Sequence, residues 1–124
     1  MNIKVLIVDR RMAARNELAR PLKKLGVWDV VQITPQAVVS EALPPGDFDI
    51  AFVEFNTLKQ VGPALIKSLR ANDAHLPVVV TYPSTIKMAD LKTHTSQAST
   101  CCVSPITAER LRTTIEQCVA SITA

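Results

Sequence analysis

Short, continuous runs of apolar residues alternate along the chain with longer segments in which apolar positions recur every three or four residues. The runs are Ile3 to Val8, Val30 to Thr34, Ile50 to Val53, Val78 to Thr81 and Cys101 to Val103. They are continuous rather than alternating, so they read as strands covered on both faces, as in a parallel sheet flanked by helices. In the first intervening segment Leu18, Leu22 and Leu25 fall at helical spacing, Gly26 supplies a stop, and Pro21 lies inside the helix, where it should bend it. A short second helix is predicted from Pro35 to Ala42, capped by Thr34 and ended before Pro44-Pro45-Gly46. The third sets Leu65, Ile66 and Leu69 on one side, with Lys67 and Arg70 toward solvent. The fourth, from Ser84 to Thr93, has the weakest stripe, at Ile86, Met88, Ala89 and Leu91. The fifth begins at Thr107, whose hydroxyl can cap it, and carries Leu111, Ile115, Cys118, Val119 and Ile122.

Five strand–helix units joined by right-handed crossovers predict an α/β domain, a doubly wound five-stranded parallel sheet in the order 2-1-3-4-5. Helices one and five should cover one face, and two, three and four the other. In such folds the working groups gather at the C-terminal ends of the strands.

Composition narrows this picture. At 124 residues the chain fits one domain, 1–124, and with 48% apolar but only 4% aromatic residues its core must be built from Val, Ile, Leu and Ala. The net charge of +3 is spread out, and its densest stretch, Arg10 to Lys24, has no Arg/Lys run, interleaved aromatics or finger spacing, so nucleic acid is not expected as a partner. Three cysteines are an odd number, and Cys101 and Cys102 are adjacent, so reduced thiols are expected. No run approaches the roughly 18 apolar residues of a membrane span, and the first strand lacks the features of a signal peptide. The expectation is a cytoplasmic protein without membrane contact. His75 and His94 have no Cys or carboxylate at metal spacing and are expected in solvent. Trp28 is expected to cover the bottom of the sheet.

The strand ends carry the chemistry. Strand one ends in Val8-Asp9-Arg10, strand three in Phe52-Val53-Glu54, strand four in Val80-Thr81-Tyr82 and strand five in Val103-Ser104-Pro105. Together with Arg15, Leu18, Leu25-Gly26, Gly62 and Leu76-Pro77, these resemble the CheY-like receiver domain of bacterial response regulators, over the whole chain. That resemblance implies a flavodoxin-like (βα)5 fold. In that family an acidic pair closes strand one, a phosphorylated Asp closes strand three, Ser or Thr closes strand four, and Lys-Pro closes strand five.

The departures from the family pattern bear on phosphoryl transfer, which needs a nucleophile, a divalent cation and a positive group opposite. Glu54 stands at the phosphoacceptor position, one methylene too long for well-placed in-line attack. Asp9 matches the first member of the acidic pair, but Arg10 stands at the second, removing a ligand and adding repulsion, so Mg²⁺ binding is expected to be weak or absent and no cofactor is expected. Arg10 is expected to pair with Glu54 or Asp9, or to point into water. Ser104 replaces the lysine and carries no charge. The Ser104–Pro105 peptide is a candidate cis bond, as the family's Lys-Pro bond implies. Ungapped counting from Pro77 and back from Ser104 puts Tyr82 at the switch position of strand four, whereas residue chemistry favours Thr81. The same counting puts Cys101 where many receivers carry a rotating aromatic.

The resemblance and its departures together imply an atypical receiver in two-component signal transduction, a pseudo-receiver that is not an enzyme and acts by phosphorylation-independent protein–protein interaction. Its partner would be a histidine kinase, an output domain or another signalling protein. A homodimer through helix four, strand five and helix five would use Ile86, Met88 and Leu91 as its surface. The alternatives are a functional phosphoacceptor with an unusual site, and a small α/β enzyme using Asp9 and Glu54 as acid and base. For the latter no Gly-rich phosphate loop is present.

Overall fold

The computed structural model describes residues 2–39, 48–71 and 73–119. In chain order its elements are β1 (Lys4–Val8), α1 (Met12–Lys24), β2 (Asp29–Ile33), α2 (Pro35–Val39), β3 (Ile50–Glu54), α3 (Phe55–Val61), α4 (Ala64–Leu69), β4 (Val78–Pro83), α5 (Met88–His94), β5 (Thr100–Ser104) and α6 (Ala108–Cys118). The five strands form one sheet in the order β2-β1-β3-β4-β5, and every neighbouring pair is parallel. The predicted strand order and the parallel pairing are both present.

The two-residue period of the strands divides the core. Val5, Ile7, Phe52, Val79 and Cys102 face Ala19 and Leu22 of α1 and Leu111 and Ile115 of α6. Leu6, Val8, Ala51, Val53, Val78 and Val80 face Val38 of α2, Phe55 and Leu58 of α3, Leu65 and Ile66 of α4 and Leu91 of α5. This is the predicted distribution of helices over the two faces. Both sides of β1, β3 and most of β4 are covered, which is why their sequences run apolar without alternation.

Helix ends follow local chemistry. At the end of α1 the Val27 amide donates to Leu22 O (3.1 Å) and the Gly26 amide to Lys23 O (3.0 Å), with Gly26 at φ 83°. This is a Schellman closure, and only glycine takes its left-handed position without strain. α1 includes Pro21 without a break in the helix, although the ring removes one donor from the last turns. Thr107 caps α6 as expected, its hydroxyl accepting from the Arg110 amide at 3.2 Å.

Three expectations need correction. The segment after β3, which the sequence reads as a loop around Gly62, is helical from Phe55. Gly62 ends α3 at φ 90°, and Gly62-Pro63 divides the third unit into α3 and α4. α5 begins at Met88 rather than Ser84, because a turn follows β4. Trp28 does not cover the bottom of the sheet. It is 91% exposed, since its neighbour Val27 takes the buried position. The expected end of the second helix at Ala42, the Pro44-Pro45-Gly46 stop and Ile122 lie outside the described residues. Among the described residues no helix is long and apolar enough to cross a membrane.

Candidate functional site

The C-terminal ends of β1, β3, β4 and β5 converge on a cavity of about 460 Å³. Asp9, Glu54, Thr81 and Ser104 line it, and Leu18 and Ile106 close its α1 and α6 sides. The pleat explains this grouping. Ile7, Phe52, Val79 and Cys102 face α1 and α6, so the residues two further along each strand face the same way.

Asp9 sits between β1 and α1 and is 5% exposed. Its Oδ1 accepts from the Arg11 amide (2.9 Å) and from Arg11 Nε (3.3 Å), and its Oδ2 accepts from Arg11 Nη2 (3.3 Å). The amide bond two residues on is the Asx-turn that short acidic side chains favour before a helix. Arg15 Nη1 donates to the backbone carbonyl of Asp9. The hydrogen bond to Asp9 holds the Arg11 guanidinium above its usual pKa. Burial opposes the rise, while the charges of Asp9, Glu54 and Glu17 add to it. Arg11 was not among the residues expected at the site. Arg10 pairs with neither Asp9 nor Glu54: its guanidinium donates to Gln60 Oε1 of α3 at the exposed rim.

Glu54 closes β3 and is 7% exposed. It is also the N-cap of α3. Its Oε2 accepts from the Asn56 amide at 2.7 Å, and its Oε1 accepts from the Thr57 amide at 3.0 Å and the Thr57 hydroxyl at 3.2 Å. Two of the orphan amides of the first turn and a fully buried hydroxyl are thereby satisfied by one carboxylate.

Thr81 lies directly opposite Glu54 in the β3–β4 register and is 7% exposed. Tyr82 turns to the other face of the sheet, where it and Cys101 pack against the cluster under α2 to α5. Thr81, not the Tyr82 favoured by counting from the flanks, therefore lines the cavity, with Pro83 two residues further along β4. Ser104 lies opposite Pro83 and is exposed, and the Ser104–Pro105 peptide is cis.

The other candidate residues lie elsewhere. Cys102 Sγ is 3.4 Å from Thr114 Oγ1 in the α1/α6 core. Burial pushes the Cys101 and Cys118 thiols up in pKa, at Cys101 against an opposing hydrogen bond with Thr95. Of the three residues expected at a partner surface, Leu91 is buried at 5% exposure, because it closes the core beneath α5, and Ile86 packs against the same cluster. Met88 alone is open, at 56% exposure. His75 is exposed. His94 is only partly so: it meets the Phe55 ring edge-on at 5.9 Å and lies 3.4 Å from Asp90, which also pairs with Lys59 at 3.0 Å. Among the described residues no three His, Cys, Asp or Glu side chains are grouped to share a metal ion.

No protein-family model and no curated protein sequence matches the chain. Solved structures do. A response regulator from Thermotoga maritima is similar at 17% identity over 97% of this chain and 99% of that one, with a TM-score of 0.75. The receiver domain of nitrogen regulatory protein C is similar at 19% identity over 98% of both chains, with a TM-score of 0.72. NtrX from Brucella abortus is similar at 18% identity over 98% of this chain, with a TM-score of 0.71, and the match spans only 27% of NtrX. The fold is thus that of response-regulator receiver domains, and at these identities the likeness speaks for the fold.

Proposed function

We propose that residues 1–124 form an atypical receiver module of two-component signalling that works through protein–protein association, without phosphoryl transfer at the end of β3. The observation that carries this reading is the commitment of the Glu54 carboxylate to the first turn of α3. A nucleophilic oxygen must be free to meet the incoming phosphorus in line. Here both oxygens accept hydrogen bonds from the helix that Glu54 caps, and turning them outward would leave the buried Thr57 donors unpaired.

The remaining groups support the same reading. Mg²⁺ needs carboxylate oxygens free to enter near-octahedral coordination. The Asp9 carboxylate instead accepts three hydrogen bonds from Arg11, whose guanidinium keeps a positive charge beside it. The residues present do not fit the divalent cation that the receiver resemblance implies. Ser104 offers a hydroxyl where a cation would be needed opposite the phosphoryl oxygens. Partner recognition then falls to the surface, to a histidine kinase, an output domain or another signalling protein, with exposed Met88 at the start of α5 the apolar anchor.

Acetyl phosphate with Mg²⁺, followed by intact-mass measurement under conditions that preserve acyl phosphates, tests the proposal. An unmodified chain is expected. A Mg²⁺-dependent phosphoryl adduct that maps to Glu54 would overturn it.

A further inference from the structure

The cavity at the strand ends is large for a site that only holds its own side chains in place. At about 460 Å³ it falls within the range that encloses small organic molecules, about 300–1,000 Å³. Two kinds of wall meet in it. Phe52 is buried in the floor, and Leu18 and Ile106 are half-buried at its sides, forming an apolar strip between α1 and the segment that follows β5. Ser104 adds only a hydroxymethyl group, so no long side chain crosses the opening from β5.

The second wall is acidic. Asp9, Glu17 and Glu54 line the cavity, and Arg11 is the only cation among the lining residues. That cation is already paired with Asp9, while no ion pair reaches Glu17 or Glu54 among the described residues. The charges of Asp9, Glu54 and Glu17 all raise the Arg11 pKa, so each lies within electrostatic reach of that side chain.

We propose that this cavity binds a small organic ammonium ion, an amine bearing a compact apolar group. The apolar part packs against Leu18, Phe52 and Ile106, and the cation lies at the wall that the unpaired carboxylates of Glu17 and Glu54 line. An alcohol of the same shape fills the apolar strip but leaves the excess negative charge uncompensated, and a carboxylate of the same shape is repelled. An organic ammonium asks less than a metal ion does. It is shed from water more easily than Mg²⁺ and needs lone pairs rather than a rigid octahedron. The proposal rests on the reading that no phosphoryl group enters this cavity.

The test is an NMR titration of the full ¹⁵N-labelled chain without metal or phosphodonor. The probes are butylamine, cyclohexylamine and 2-phenylethylamine, each with its matching alcohol and carboxylate. Saturable shifts are expected at the Asp9, Thr81, Ser104 and Ile106 amides for at least one amine, with affinity roughly tenfold above that of its alcohol. Glu17 is exposed on α1, so Glu17→Lys should keep the fold and weaken amine binding by about fivefold, less so at high salt. Ala14→Leu, which narrows the cavity without disfavouring the helix, should weaken amine and alcohol together. The proposal is overturned if no amine saturates at millimolar concentration, if alcohols or carboxylates bind as well as amines, if the shifts centre away from these amides, or if neither variant alters binding. Its failure leaves the phosphorylation result standing, because that is read by mass in a separate assay. A phosphoryl adduct on Glu54 would instead remove the premise.

Discussion

Replacing Glu54 with alanine should destabilise the fold much more than truncating an ordinary strand-end carboxylate. The side chain accepts three hydrogen bonds, at 2.7, 3.0 and 3.2 Å, and two of their donors belong to Thr57, which is fully buried. Losing a helix N-cap costs about 0.5–2 kcal/mol, and each buried donor left unpaired costs about 1–3 kcal/mol. These costs describe the same groups and overlap, and removing a buried charge returns part of its desolvation, so Glu54→Ala is expected to cost about 2–3 kcal/mol. Glu54→Asp keeps a carboxylate at a position where Asp is among the best caps, and should lose less than about 1 kcal/mol. Glu54→Gln keeps one acceptor oxygen and should fall between them. Urea unfolding followed by far-ultraviolet circular dichroism measures the series, with a common slope showing that stability alone has changed. If Glu54→Ala lies within about 0.5 kcal/mol of the native protein, the carboxylate is not holding α3 and its commitment to the cap is refuted.

Other consequences follow from the same geometry. Arg11→Ala combined with Arg10→Asp frees the Asp9 carboxylate and adds a second acid, so calorimetric titration with Mg²⁺ should show a millimolar transition where the native chain is flat. Leu91→Asp places a charge in the core beneath α5 and should unfold the protein, whereas Met88→Asp at the exposed face should change stability by less than about 0.5 kcal/mol, both read by urea unfolding. Because burial raises the Cys101 thiol pKa, the stability tied to that group is whole below the ordinary thiol pKa. It is lost as pH rises through the raised value, since the unfolded chain ionises first. Cys101→Ala should therefore flatten the decline in urea midpoint between neutral pH and about pH 10. Trp28, at 91% exposure, should emit like indole in water and be quenched by iodide as readily as a free tryptophan derivative.

Much of the architecture was legible because a parallel sheet covered on both sides leaves a distinctive record. Val5 to Val8 and Ile50 to Val53 must be apolar at every position, and the helical stripes between them supply the covers. The strand ends could also be found, since Asp9, Glu54 and Ser104 each follow an apolar run. The pairing among side chains was less accessible. Counting from the flanks of β4 pointed to Tyr82 and residue chemistry to Thr81; in a strand one residue is the difference between facing α1 and facing α5, and the pleat turns Thr81 to the cavity and Tyr82 to the other face. Arg11 was not legible because the receiver resemblance assigns no role to the residue after the acidic pair, Asp9 and Arg10 here. The available signal was an Asp two residues before a helix N-cap, a spacing that ties its carboxylate to the following backbone. α3 left almost no propensity signal, since Phe55, Asn56, Thr57 and Val61 are middling helix formers. It exists because Glu54 caps it and Phe55 and Leu58 are buried beneath it.

Whether the end of β3 takes part in phosphoryl transfer comes down to one spectrum. Beryllofluoride with Mg²⁺ imitates a phosphoryl group on a carboxylate that can present a free oxygen beside a bound metal. Added to the ¹⁵N-labelled chain, it should leave the amides of Asp9, Glu54, Thr81 and Ser104 where they were, because Glu54 is held by Asn56 and Thr57 and Asp9 by Arg11. Saturable shifts at those four amides that require both Mg²⁺ and beryllofluoride would mean that the cap and the ion pair yield to a phosphoryl mimic, and that the chain retains the chemistry proposed to be lost.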